Sequence, residues 1–239
     1  MNVSRHIVTA FDRDLEAIQA MVMKMGGMVE QAIADAARAF AESDAETAAR
    51  VRTGDRAVDA LEERINEEAA RVIALRQPIA TDLRTVLTVF RISSALERIG
   101  DYAKNMAKRT EILIELHPVD GATSSALKRM SKLVGMMLRD ALDAYIQRDA
   151  DLAADVRARD EEVDQMYNGL FREYLTYMME DPRSITPCMH MHFMAKNIER
   201  MGDLVTTVAE QVIYLVTGEM PADERAKADM TSVAKGAGG

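Results

Sequence analysis

Tryptophan is absent from this 239-residue chain, other aromatics are few, and there is one cysteine and only five prolines. Each shortage excludes something. A lone Cys188 cannot form an intramolecular disulfide, which suits a reducing compartment. Sparse aromatics, with abundant Ala, Leu, Met, Glu and Arg, disfavour sheets. None of the five, Pro78, Pro118, Pro182, Pro187 and Pro221, falls in the interior of a long periodic stretch, where a proline would break a helix. No run approaches the roughly 18 apolar residues of a membrane span, and Met1–Ala10, with Arg5 and His6, does not read as a signal peptide. A basic excess is missing too. The net charge of −9 argues against a nucleic-acid partner, which needs a basic stripe, and against free phosphate as a ligand without a bridging cation. The expectation is a soluble, cytoplasmic protein that meets membranes only peripherally, through partners.

What is present is helical periodicity. The pattern predicts an all-α fold with six helices at about 7–41, 45–75, 80–115, 123–147, 150–180 and 185–217. Asp44 and Asp149 stand where N-caps belong, since a short carboxylate can accept from the first free backbone N–H groups. Gly218 closes the last helix, and the polar tail ending Gly-Ala-Gly-Gly reads as disordered. Methionines at 21, 23, 25 and 28 read as core filler, with an adaptable partner groove as the alternative.

The chain matches itself. Displaced by 105 residues, Ala48, Ala49, Val51, Arg52, Asp55, Val58 and Asp59 meet Ala153, Ala154, Val156, Arg157, Asp160, Val163 and Asp164, all identities without a gap. Beyond the following hairpin the displacement becomes 102, and Glu97-Arg98-Ile99-Gly100-Asp101 meets Glu199-Arg200-Met201-Gly202-Asp203. A three-helix unit has been duplicated, giving two tandem three-helix bundles: 1–117, 118–218, and a tail over 219–239, with the boundary near His117–Gly121.

The repeated residues are acidic. Glu97 and Asp101 are one helical turn apart, where like charges repel by a few tenths of a kcal/mol. Asp55 and Asp59 have the same spacing, and folding the chain about Pro78 lays them alongside the first pair. Asp160, Asp164, Glu199 and Asp203 repeat the arrangement about Pro182. Four carboxylates in one patch suit a hard divalent cation; a solvated helix face is the plainer alternative. Asn105 and His192 are possible supplementary ligands, though His192 also reads as an ordinary polar side chain. Lys196, three residues before Glu199, could neutralise the second patch, so the first is expected to bind a cation more tightly. Gly100 and Gly202 cost helix stability and imply close helix approach, while Arg98 and Arg200 could bridge neighbouring acids.

Arg76-Gln77-Pro78-Ile79-Ala80-Thr81-Asp82-Leu83-Arg84, Leu96–Asp101, Ile198–Asp203 and Tyr214-Leu215-Val216-Thr217-Gly218 resemble the signature stretches of the PhoU family over nearly the whole chain. The resemblance implies a non-enzymatic negative regulator of the phosphate-starvation response. It implies coupling of a phosphate-specific ABC importer, through its ATPase subunit, to a membrane-bound sensor histidine kinase. It also implies divalent or trivalent metal on Glu97/Asp101 and Glu199/Asp203, supplemented by the acids of helices 2 and 5, and a homodimer. Two other classes compete. A carboxylate-bridged di-metal oxidase needs Glu-x-x-His pairs, and this sequence has none. A structural or membrane-sculpting helical dimer wants a basic face for anionic lipid, which the acidic balance disfavours.

Overall fold

The computed structural model describes residues 3–116 and 121–221. It contains six α-helices: α1 Val3–Glu42, α2 Ala45–Arg76, α3 Ala80–Glu115, α4 Gly121–Gln147, α5 Ala150–Glu180 and α6 Ile185–Thr217. A single 3-10 turn, Pro182–Ser184, precedes α6, and no strand occurs among the described residues. The all-α expectation holds, with helix ends within a few residues of those read from the sequence. Most of the segment expected to divide the repeats, and the tail beyond Pro221, lie outside the described residues.

The helix starts follow from chemistry that the duplication has copied. Asp44 accepts from the Thr47 backbone N–H at 3.0 Å, and Asp149 from those of Asp151 and Leu152 at 3.0 and 2.9 Å. Each cap follows a residue in the left-handed region, Ser43 at φ 52° and Arg148 at φ 53°. The cap N–H groups then reach back to Ala39 O and Ala144 O, ending one helix and starting the next within two residues. Gly218, at φ 87°, closes α6 by donating to Tyr214 O at 2.9 Å.

Each helix buries one stripe. On α1 it runs through Ile18, Val22, Met25, Val29 and Ile33; on α3 through Val89, Ile92, Leu96, Ile99, Ala103 and Met106, as the periodicity requires. Each Val, Leu, Ile or Met among them contributes about 1.5–3 kcal/mol through removal from water, and Ala103 less. Met25 is fully buried, and Met21, Met23 and Met28 pack partly buried against the same core, so the dense methionines are filler.

The repeats are units of sequence duplication rather than separate bodies. α3 lies against α6, and α1 against α4, so one continuous apolar core serves both. α6 packs on α3, α4 and α5. It therefore buries Met191, Met194, Ala195, Ile198, Met201, Val205, Val208, Ala209 and Val212, apolar residues that face several neighbours rather than one. No described helix is long and apolar enough to cross a membrane.

Candidate functional site

The first acidic patch forms where α2 and α3 pack. Asp55 is buried, with a side chain 3% exposed; its Oδ2 accepts from Lys104 Nζ at 2.5 Å, and its Oδ1 is buried with no hydrogen-bond partner among the described residues. Lys104 also reaches Asp101 Oδ1 at 3.2 Å. The hydrogen bond from Lys104 to Asp55, with that to Asp101, pushes the ammonium's pKa up to about 12 against the desolvation that opposes it. Glu97 is raised first by burial and then by the charges of Asp101, Glu62, Asp59 and Asp55. Asp59 is raised by burial, then by Asp55, with Lys104 opposing and Asp101 and Glu62 adding. The four acids anticipated on α2 and α3 therefore feel one another as a single electrostatic unit. Asn105, one turn past Asp101, is exposed.

Two members of this patch were not anticipated. Glu62 extends the acidic face of α2, and with Asp59, Glu63, Asn66, Glu67 and Phe90 it lines a groove of about 730 Å³. Its spacing, three beyond Asp59, was the available signal. Lys104 stands three beyond Asp101 and was equally legible, but only helix pairing shows that it also reaches Asp55. Both patches thus carry a lysine, and neutralisation of the second alone no longer ranks the first above it.

The second patch is more deeply set. Asp160 and Asp164 are each 2% exposed and Glu199 is 5% exposed. Lys196 donates to Glu199 Oε1 at 2.8 Å while its ammonium lies 4.9 Å from the Tyr167 ring centroid. Asp203 is half-buried, and its backbone carbonyl accepts from the hydroxyls of Thr206 and Thr207. His192 sits among Tyr167, Phe171 and Phe193, with ring centroids 5.4–5.9 Å away. Burial, and then the Lys196 charge, lower its pKa. Arg200 pairs with no acid among the described residues; it lies over Tyr102 of the first repeat, 5.9 Å from the ring centroid.

The glycines of the repeated motif differ in how tightly they are held. A Cβ on Gly202 would lie 2.8 Å from Asp160 Oδ1 and 3.3 Å from Val163 Cγ1, whereas one on Gly100 would meet nothing nearer than Val58 Cγ1 at 3.5 Å. Gly202→Ala is expected to destabilise by about 1–3 kcal/mol through overpacking against a buried carboxylate. Gly100→Ala is expected to be neutral or to stabilise by up to about 1 kcal/mol, from helix propensity alone. Denaturant midpoints of the two variants check this; equal losses would mean that the repeats pack alike.

Among the described residues, no three Asp, Glu, His or Cys side chains converge closely enough to hold a metal ion as they stand. The donor set of the first patch is nonetheless all oxygen, the choice of a hard cation, and it includes the orphaned Asp55 Oδ1. The same observations give the condition for binding: Lys104 has to leave the carboxylates that it now bridges.

The fold and this site define a class: duplicated three-helix units, sharing one core, that present paired acidic patches at their α2–α3 and α5–α6 seams. The chain belongs to the PhoU family, whose PhoU domain matches residues 22–110 and 127–212. It is 45% identical over 227 residues to the phosphate-specific transport system accessory protein PhoU homolog of Rhizobium meliloti (strain 1021), covering 95% of each chain. It is 38% identical to the phosphate-specific transport system accessory protein PhoU of Escherichia coli (strain K12), covering 92% of this chain and 90% of that one. The crystal structure of PhoU from Pseudomonas aeruginosa superposes with a TM-score of 0.83 at 38% identity, covering 87% of this chain and all of that chain.

Proposed function

We propose that this chain is a non-catalytic regulator of a phosphate-specific transport system. In this reading it acts in the cytoplasm as a homodimer, linking the importer's ATPase subunit to a sensor histidine kinase and holding the phosphate-starvation response off while phosphate is abundant. The observation that carries the reading is correspondence over nearly the whole chain, both repeats included, with relatives named as accessory proteins of phosphate-specific transport. Deletion of the gene is expected to switch on a phosphate-starvation reporter in phosphate-rich medium, and re-expression of the full chain to silence it. A reporter that stays silent in the deletion strain, with no second family member present, sinks the proposal.

The two acidic patches are the proposed cation sites, for a divalent or trivalent ion. In the first, Asp55, Asp59, Glu97 and Asp101 would supply oxygen ligands, with Glu62 adding negative charge and Asn105 at the margin. In the second, Asp160, Asp164, Glu199 and Asp203 would do so, with His192 a supplementary candidate that would first have to leave its aromatic surroundings. Support comes from the raised pKa values of Asp59 and Glu97, since the repulsion behind them is what a bound cation would relieve.

A further inference from the structure

Because the duplication makes α3 and α6 antiparallel partners, their seam has two equivalent ends. Residues 102 apart occupy equivalent places, yet the two ends are finished differently. At one end Arg109 of α3 closes the seam with the chain's own guanidinium: it lies 4.4 Å from the Phe193 ring centroid and its Nη1 is 3.3 Å from His190 Nδ1. At the other end the equivalents of Arg109, His190 and Phe193 are Gln211, Thr88 and Arg91. These line an open cavity of about 380 Å³, together with Leu87, Phe90, Tyr214 and Met220.

The polar groups of that cavity are poorly matched. Thr88 is fully buried, and its Oγ1 has no hydrogen-bond partner among the described residues. Gln211 is 2% exposed, and among the described residues its amide donates only to the Met220 thioether, at 3.7 Å. Sulfur is a weak acceptor, and a buried amide left with so little is costly. Arg91 is exposed at the rim and makes no ion pair among the described residues. Two turns earlier on the same face of α3, Arg84 lies 5.5 Å from the Tyr214 ring centroid, again without an ion pair. On a chain of net charge −9, two guanidinium groups without carboxylate partners among the described residues bring positive charge to this rim.

We propose that this cavity binds a nucleoside monophosphate. Phe90, Leu87 and Tyr214 offer a flat heterocycle the apolar and aromatic surface on which bases stack. The Gln211 amide presents a donor and an acceptor side by side, the pattern that pairs with a base edge, and Thr88 adds a hydroxyl beside it. Arg91, with Arg84 behind it, meets the phosphate in charge-assisted hydrogen bonds. The cavity lies within the usual range for small-ligand sites, about 300–1,000 Å³. Met220 occupies the place of the missing acceptor and has to move aside on binding. The cavity shares Phe90 with the acidic groove of the first patch, but none of its polar groups belongs to that patch and it does not depend on a cation there.

The test is a titration of the full chain with AMP, GMP, CMP and UMP, followed by calorimetry and by amide chemical shifts of residues 87–91 and 211–214. Adenosine and inorganic phosphate serve as the two half-ligands. At least one monophosphate is expected to bind and to shift those amides, while its nucleoside and phosphate alone bind at least about tenfold more weakly. The exposed substitution Arg91→Ala should weaken binding by about tenfold or more without unfolding the chain. Thr88→Val, which keeps the shape and removes the hydroxyl, should weaken it less, and Met220→Ala should tighten it. The proposal is overturned if no monophosphate moves these amides at millimolar concentration, if Arg91→Ala binds as the wild type does, or if inorganic phosphate alone reproduces the shifts.

Discussion

Lys104→Met is expected to destabilise the fold by about 2–3 kcal/mol, less than the 3–5 of a fully buried pair because the lysine side chain is 41% exposed. The loss comes from Asp55 rather than from the lysine. Its side chain is 3% exposed and its Oδ1 already lacks a hydrogen-bond partner, so removing Lys104 leaves a buried carboxylate with no compensating charge. For a chain of this size that corresponds to a fall in Tm of roughly 5–10 °C. The double variant Asp55→Asn/Lys104→Met should recover most of it, since the stranded charge is then gone.

The pH dependence of that loss has a definite sign. The folded-state pKa of Lys104 is raised from 10.5 to about 12, so its contribution is fully present below 10.5 and fades as pH rises from there through about 12. The difference in stability between wild type and Lys104→Met should therefore be constant near neutrality and shrink across that alkaline window. Thermal melts at a series of pH values measure it. A variant as stable as the wild type at neutral pH would mean that the Asp55 carboxylate is solvated by other means.

The second large effect is a rise in Tm on adding a divalent cation. At a free concentration one hundredfold above Kd, binding to the folded state alone stabilises it by about 2.7 kcal/mol, again roughly 5–10 °C. Asp59→Asn/Glu97→Gln should lose most of this gain. The same pair should be at least as stable as the wild type without metal, because both carboxyls are raised by burial and by neighbouring acids. A raised carboxyl pKa means that ionisation costs the folded state; the penalty is present at neutral pH and is relieved as pH falls through the folded pKa towards the unfolded one. The metal-free variant's advantage should accordingly shrink as the pH falls through the raised folded-state values towards the ordinary carboxyl range. Lys104→Met is expected to show a larger metal-dependent rise than the wild type, because the ammonium competes with the ion for Asp55 and Asp101. If manganese, zinc, magnesium and iron all leave the wild-type Tm unchanged, or the Asp59/Glu97 variant keeps the whole gain, the first patch is an ordinary charged helix seam.

Local chemistry was legible in the sequence because each of its causes spans only a few residues. The Asp44 and Asp149 caps, the Gly218 stop and the stripe from Val89 to Met106 follow from spacing and side-chain type. The duplication was legible because identities at a fixed displacement need no coordinates. The meeting of Asp55 and Asp59 with Glu97 and Asp101 could also be read, since a short hairpin fixes which turns of two antiparallel helices face each other.

What the sequence could not give depends on distances between helices that are remote along the chain. Lys104 could be seen beside Asp101, one turn away, but its bond to Asp55 required the actual register of α2 against α3. Arg200 looked like a partner for acids until α3 was placed against α6, where the Tyr102 ring takes it. Gly100 and Gly202 are the same letter at equivalent positions, yet only the tertiary structure distinguishes a tolerated Cβ from one 2.8 Å from a carboxylate oxygen. The sharing of one core by two repeats was decided there as well. Each amphipathic unit has an apolar face to bury, and packing α3 on α6 and α1 on α4 removes those faces from water together. Helical periodicity announces that such a face exists; only its complement in space determines what covers it.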